Sequence, residues 1–121
     1  MPRFTLDRGA LEITSLGSQR ERASGTLALL IEIVAAALRI PVASVGSMIF
    51  MREDLKQGFE PVASFYIQHE PHVRDKERID PRFDAPPDLV IDVDVAHSSL
   101  DKFPVFAGLG VPEVWRREEN R

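Results

Sequence analysis

The chain has no cysteine, and only one tryptophan and one tyrosine among its 121 residues. Without thiols there is no disulfide and no thiolate metal site, which fits a reducing compartment. An excess of positive charge is missing too. The formal net charge is −4, so no global basic field advertises nucleic acid, and any such contact would need a local patch. Long hydrophobic runs are also lacking. The longest apolar stretch, Leu27 to Leu38, is broken by Glu32 and is too short to span a bilayer. Residues Met1 to Asp7 carry no apolar signal segment, and the expectation is a soluble, cytoplasmic protein with no membrane partner. Hydrophobic residues at 44% and charged residues at 28% are ordinary for a globular domain, so residues 1–121 are read as one domain with one core.

Turn and periodicity signals divide the chain. Residues 3–14 read as a hairpin around Asp7-Arg8-Gly9. Ser18-Gln19-Arg20-Glu21 matches a capping box, in which serine and glutamate satisfy the free amides of a helix start. That helix should run to about Arg39, with Leu27, Leu30, Ile31, Val34 and Leu38 on its main apolar face; Ile40-Pro41 ends it. Leu29 and Ile33 make it apolar nearly all round, which predicts burial on two sides. Val42 to Met51 reads as one strand region bulged at Gly46, Glu53 to Gly58 as a polar turn, and Val62 to Gln68 as a further strand. Residues 69–87 hold four prolines and many charges without apolar periodicity, and read as a long exposed excursion. An acidic strand at 88–95 follows, then a short helix from near Asp101 to a glycine stop at Gly110, then a last strand from Val111 to Trp115. Two strands, a helix, three strands, a short helix and a strand imply an α+β domain: a mixed, antiparallel-rich sheet packed on one long helix and a short second one.

The acidic strand carries the chemistry. In Asp88-Leu89-Val90-Ile91-Asp92-Val93-Asp94, alternation puts Asp88, Val90, Asp92 and Asp94 on one face, and Leu89, Ile91 and Val93 toward a core. Carboxylates crowded on one strand face repel, and a divalent cation held by oxygen ligands would offset that. Lys102, eight residues on, would supply a cation suited to phosphate chemistry. The bland alternative is a solvated strand face beside a solvent-facing lysine.

A family likeness sharpens this reading. Gly58 to Gln68, Pro86 to Asp94, Ser98 to Pro104 and Gly110 to Trp115, with Asp7 to Ile13 and Glu21, resemble the Uma-type putative restriction endonucleases of the PD-(D/E)XK nuclease superfamily. The likeness covers nearly the whole chain. It implies a restriction-endonuclease-like fold and hydrolysis of phosphodiester bonds in DNA with Mg²⁺ (or Mn²⁺). Carried over, Asp88 and Asp92 would be metal ligands, Lys102 the cation that orients water or phosphate, and Glu21 a helix-borne acid near the site, with Asp94 assisting. Three departures stand out. Val62 occupies the place where the family carries aspartate, Asp92 replaces the family's glutamate, and the chain stops six residues after Trp115 where the family continues into another strand. Val62, the short C-terminus and the acidic charge balance favour the rival reading of a catalytically inactive module for binding or assembly. An edge left open near Trp115 suggests a homodimer.

Other candidates have plainer explanations. Glu21 is explained equally well by the capping box. Glu12 should face solvent, opposite Leu11 and Ile13. His97 lies just past the acidic strand, as a possible ligand or proton carrier, while His69 and His72 should be solvated in the excursion. Arg74, Lys76, Arg78 and Arg82 are interleaved with acids and read as a solvated loop, unless they flank the acidic site and grip phosphates. Phe103 and Trp115 fit a core or an interface better than a base-stacking platform.

Overall fold

A computed structural model describes residues 2–15, 18–45, 48–94 and 102–118. The chain opens with a hairpin, β1 (Pro2–Asp7) and β2 (Ala10–Ser15). Arg8 and Gly9 both take positive φ, 49° and 98°. That is the two-residue turn whose twist matches antiparallel strands, and it explains a glycine at the tip. Helix α1 (Ser18–Ala37) follows and ends where Arg39 turns left-handed, φ 58°, before Pro41. Next come β3 (Ala43–Ser44), β4 (Phe50–Arg52), β5 (Gln57–Phe59) and β6 (Ala63–Tyr66). A single helical turn, α2 (Glu70–Val73), precedes β7 (Leu89–Asp94), α3 (Phe103–Gly108) and β8 (Glu113–Glu118).

The architecture is α+β, of restriction-endonuclease-like class, but its strands form two sheets rather than one. Their orders are β2-β1-β5-β4 and β3-β6-β7-β8. Only β7 and β8 among the paired strands run parallel, and α3 is their crossover. The expected strand at 42–51 is really two, β3 and β4, one in each sheet; the bulge placed at Gly46 lies outside the described residues. The polar turn at 53–58 keeps its first four residues and gives the rest to β5, whose Gln57, Gly58 and Phe59 are all buried. A three-residue strand is too short to show alternation, so nothing in its pattern separated it from the turn.

Two apolar clusters sandwich the second sheet. On one face Leu89 and Ile91 join Ala63 and Phe65 beneath Leu27, Ala28 and Ile31 of α1. On the other, Val90 packs with Phe50, Phe59, Val105, Phe106 and Val111, so β7 is buried on both sides. Phe59 anchors that cluster, stacked on Phe50 at 5.4 Å and meeting Phe106 edge-on at 4.9 Å. Helix α1 is covered on one side only. Leu29, Leu30, Ile33, Val34 and Leu38 are each half or more exposed, against the expected burial on two sides. The first hairpin also reverses its expected facing: Leu11 and Ile13 are exposed and Glu12 is partly covered, because the Thr5 face of β1, paired with Glu12, is the one turned inward. Among the described residues, no helix is long and apolar enough to cross a membrane.

Candidate functional site

The pleat of β7 decides where its acids go. Asp88, Val90 and Asp92 share the face that α3 covers, and Val90 is sealed against Val105 and Phe106. Because α3 packs on that face, its N-cap residue, Lys102, is delivered beside Asp92. The Lys102 amine donates to Asp92 Oδ1 at 3.4 Å, and both residues are buried. Parallel pairing sets Arg116 of β8 next to Asp92, with Nη2 3.5 Å from Oδ2. The Arg116 guanidinium lies over the Phe103 ring at 3.9 Å, which fixes its direction. Among the described residues, the centre is one buried carboxylate between a buried lysine and a partly buried arginine. Burial overturns the solvated-face reading of Asp92 and the solvent-facing reading of Lys102.

Asp88 is buried too, but for a different purpose. Its Oδ2 accepts from the amides of Ile67 at 2.7 Å and His69 at 2.9 Å, and its Oδ1 meets His69 Nδ1 at 2.7 Å. Burial pushes this carboxyl up, yet the His69 and Ile67 amides and the His69 ring outweigh it, so its pKa falls below the ordinary value. Asp88, just before β7, is four extended steps from Asp92, about 13 Å along the strand direction. One ion does not span that gap, and the oxygens of Asp88 are turned to the end of β6 and the start of α2.

Asp84, four residues earlier, does the same work. It takes Lys76 Nζ at 2.7 Å, His72 Nε2 at 3.2 Å and the Asp80 amide at 2.7 Å, with the Lys76 bond foremost in drawing its pKa down to about 2. Tyr66, whose hydroxyl donates to the Ala85 carbonyl at 2.8 Å, is pushed well up by burial and then by Asp84 and Asp88. Residues 69–87 are thus tied down as a strap: mostly at the surface, with Glu70, Val73 and Pro87 buried. His69 and His72 are paired with acids rather than merely solvated. Arg74 pairs with Glu70 and Arg82 with Asp80, so these cations are engaged locally.

Val62 sits where the family likeness matters most. Its amide donates to the Ile91 carbonyl at 3.2 Å, next to the ladder pair Ala63–Ile91, so position 62 abuts β7 within one residue of Asp92. Arg116 was missed from sequence because only the parallel register of β8 brings it to Asp92. The other sequence candidates are not brought into view: the side chains of Glu21 and Asp94, and all of His97, lie outside the described residues. Helix α1 itself packs on the opposite face of β7. Among the described residues, no group of three or more His, Cys, Asp or Glu could hold a metal ion.

A mixed α+β core of restriction-endonuclease-like class thus carries a buried acid–lysine pair at a strand and the following helix start. The whole chain, residues 1–121, matches the Uma2 family, described as "Putative restriction endonuclease". The chain belongs to that family. No curated protein and no solved structure matches it.

As a metal site, the expected pair Asp88 and Asp92 does not fit one ion, for the reasons of distance and committed oxygens given above. Asp92 offers a single carboxylate, flanked by Lys102 and Arg116. Magnesium is commonly held by one or two carboxylates, with water and substrate phosphate completing its shell.

Proposed function

We propose that the chain is a DNA endonuclease whose phosphodiester site is centred on Asp92. The observation that carries this is the buried convergence of Lys102 and Arg116 on that carboxylate. Among the described residues two cations face this one carboxylate, inside a chain of net charge −4, and a lysine and an arginine side by side suit a phosphate. Lys102, with three donors on a flexible stem, neutralises charge on the phosphoryl oxygens and orients water. Arg116, held over the Phe103 ring, fixes the direction from which phosphate is met. Asp92 would hold Mg²⁺ or Mn²⁺, which when bound supplies a water of lowered pKa.

A second reading is favoured by Val62. An apolar residue abuts Asp92 where the family carries an acid, and this supports a catalytically inactive module that binds nucleic acid without cutting it. Plasmid nicking with Mg²⁺ and Mn²⁺, beside a DNA-binding titration, separates the two. The endonuclease reading expects nicking that Asp92→Ala and Lys102→Met both abolish. Binding that needs Lys102 and Arg116, with no nicking in either metal, establishes the inactive module. Nicking that survives Asp92→Ala overturns the site.

A further inference from the structure

We infer that the outer face of α1 is the surface on which a second copy of this chain docks; this does not depend on the reading of the Asp92 centre. Helix α1 is apolar nearly all round, and such a helix is normally covered on every side. One side is covered by Ala63, Phe65, Leu89 and Ile91. The other bears two neighbouring rows at steps of four, Leu30-Val34-Leu38 and Leu29-Ile33-Ala37, whose large members are 51–65% exposed. The first of these rows, with Ile40 and Trp115, both 43% exposed, borders an open apolar groove of about 290 Å³.

The face commits to a copy of itself on area, shape and charge. Its exposed side chains present roughly 400 Å² of apolar surface per chain, taking the usual area per buried side chain. Interface cores are about 65% apolar, so the footprint is roughly 600 Å² a side and about 1,200 Å² in all, enough for a specific dimer at the small end of the range. Rows at steps of four are the ridges that two α-helices most often interleave, and a two-fold axis uses the same ridge twice. From Leu27 to Leu38 the only charge is Glu32. A membrane surface would call for a helix rich in lysine and arginine, and a charged partner would find little here to recognise.

Light scattering of the purified chain at tens of micromolar tests this. The expected mass is twice 13.6 kDa, falling to 13.6 kDa in Leu30→Glu and in Val34→Glu, while Ile13→Glu, at an exposed site on β2, keeps the dimer. Because the chain has no cysteine, Ile33→Cys with a short bismaleimide gives a second readout on a near-native surface: a cross-linked pair is expected, and none from Ile13→Cys. A monomeric wild type overturns the proposal, including one that instead binds anionic vesicles. A dimer that persists in both glutamate variants, or one that Ile33→Cys never cross-links, also overturns it.

Discussion

Replacing Val62 with aspartate tests the geometry of the site most directly. Position 62 abuts the junction of Ile91 and Asp92, so the new carboxylate would stand roughly 5–8 Å from that of Asp92, the range for opposite and diagonal cross-strand neighbours. Two like charges at that distance repel by about 2–3 kcal/mol at an effective dielectric of about 20. Lys102 and Arg116, at 3.4 and 3.5 Å from Asp92, offset part of this, leaving a net cost of about 1–2 kcal/mol. For a domain of this size that lowers the melting temperature by about 4–8 °C. Val62→Asn is the control, because it loses the same apolar contact without adding charge. Mn²⁺ bound between the paired acids at a hundred-fold excess over its Kd would return about 2.7 kcal/mol. Thermal melts with and without Mn²⁺ should therefore show Val62→Asp below Val62→Asn without metal and above it with metal. If the two variants melt together in both conditions, the new side chain does not face Asp92, and the assignment of this end of β7 as the site is refuted.

Three further outcomes follow from the same contacts. Lys102→Met strips one partner from a buried pair, and with Arg116 retained should cost about 2–3 kcal/mol in urea melts, below the usual 3–5; adding Asp92→Asn should recover most of it. Acid should loosen the 69–87 strap. Asp84 titrates at about 2 when folded against 3.8 ordinarily, so between those values the unfolded chain takes up a proton the folded chain refuses. Stability is then lost as pH falls through that window, with Asp88 acting in the same direction; urea midpoints from about pH 6 to about pH 2 should be flatter in Asp84→Asn. Gly108→Ala should destabilise by about 1–3 kcal/mol in the same assay. Its Cβ would come within 2.1 Å of Gln57 Oε1, and Gln57 is buried and held by Asp7 at 3.0 Å and the Pro104 carbonyl at 3.4 Å.

Local rules carried the sequence reading where neighbours in sequence are neighbours in space. The hairpin, the extent of α1, the glycine stop at Gly110 and the acidic strand are of that kind, because turn chemistry and periodicity act within a few residues. Asp92 and Lys102 were both legible, one by alternation and one by its place at a helix start. Their meeting depends on α3 folding back over the Val90 face, a tertiary event that the family resemblance implied and spacing did not. What stayed hidden was decided by pairing between distant segments. Gln57 to Phe59 becomes a strand only because β1 and β4 both pair with it. Arg116 reaches the site through parallel register, and the strap from 69 to 87 is ordered by ion pairs whose partners are up to 19 residues apart. The facing of Glu12 was misjudged because alternation fixes which residues share a face but not which face turns inward.

Asp88 and Asp92 are the same residue type on the same strand face, and their surroundings assign them different work. An ion at Asp88 would displace two amides and an imidazole held at 2.7–2.9 Å. At roughly 1.5–3 kcal/mol for each bond to a charged group, the sacrifice is at least about 5 kcal/mol, more than a thousand-fold in affinity. The contacts of Asp92 with Lys102 and Arg116, at 3.4 and 3.5 Å, are longer than the 2.7–2.9 Å of a close charge-assisted hydrogen bond, so each of these two is weaker than the bonds that hold Asp88. Both partners are, moreover, cations that would remain beside the bound phosphate instead of competing for it. An acid serves chemistry only where its oxygens are not already the anchors of the fold. On this strand face that condition excludes Asp88, and it is why the proposed centre is placed at Asp92.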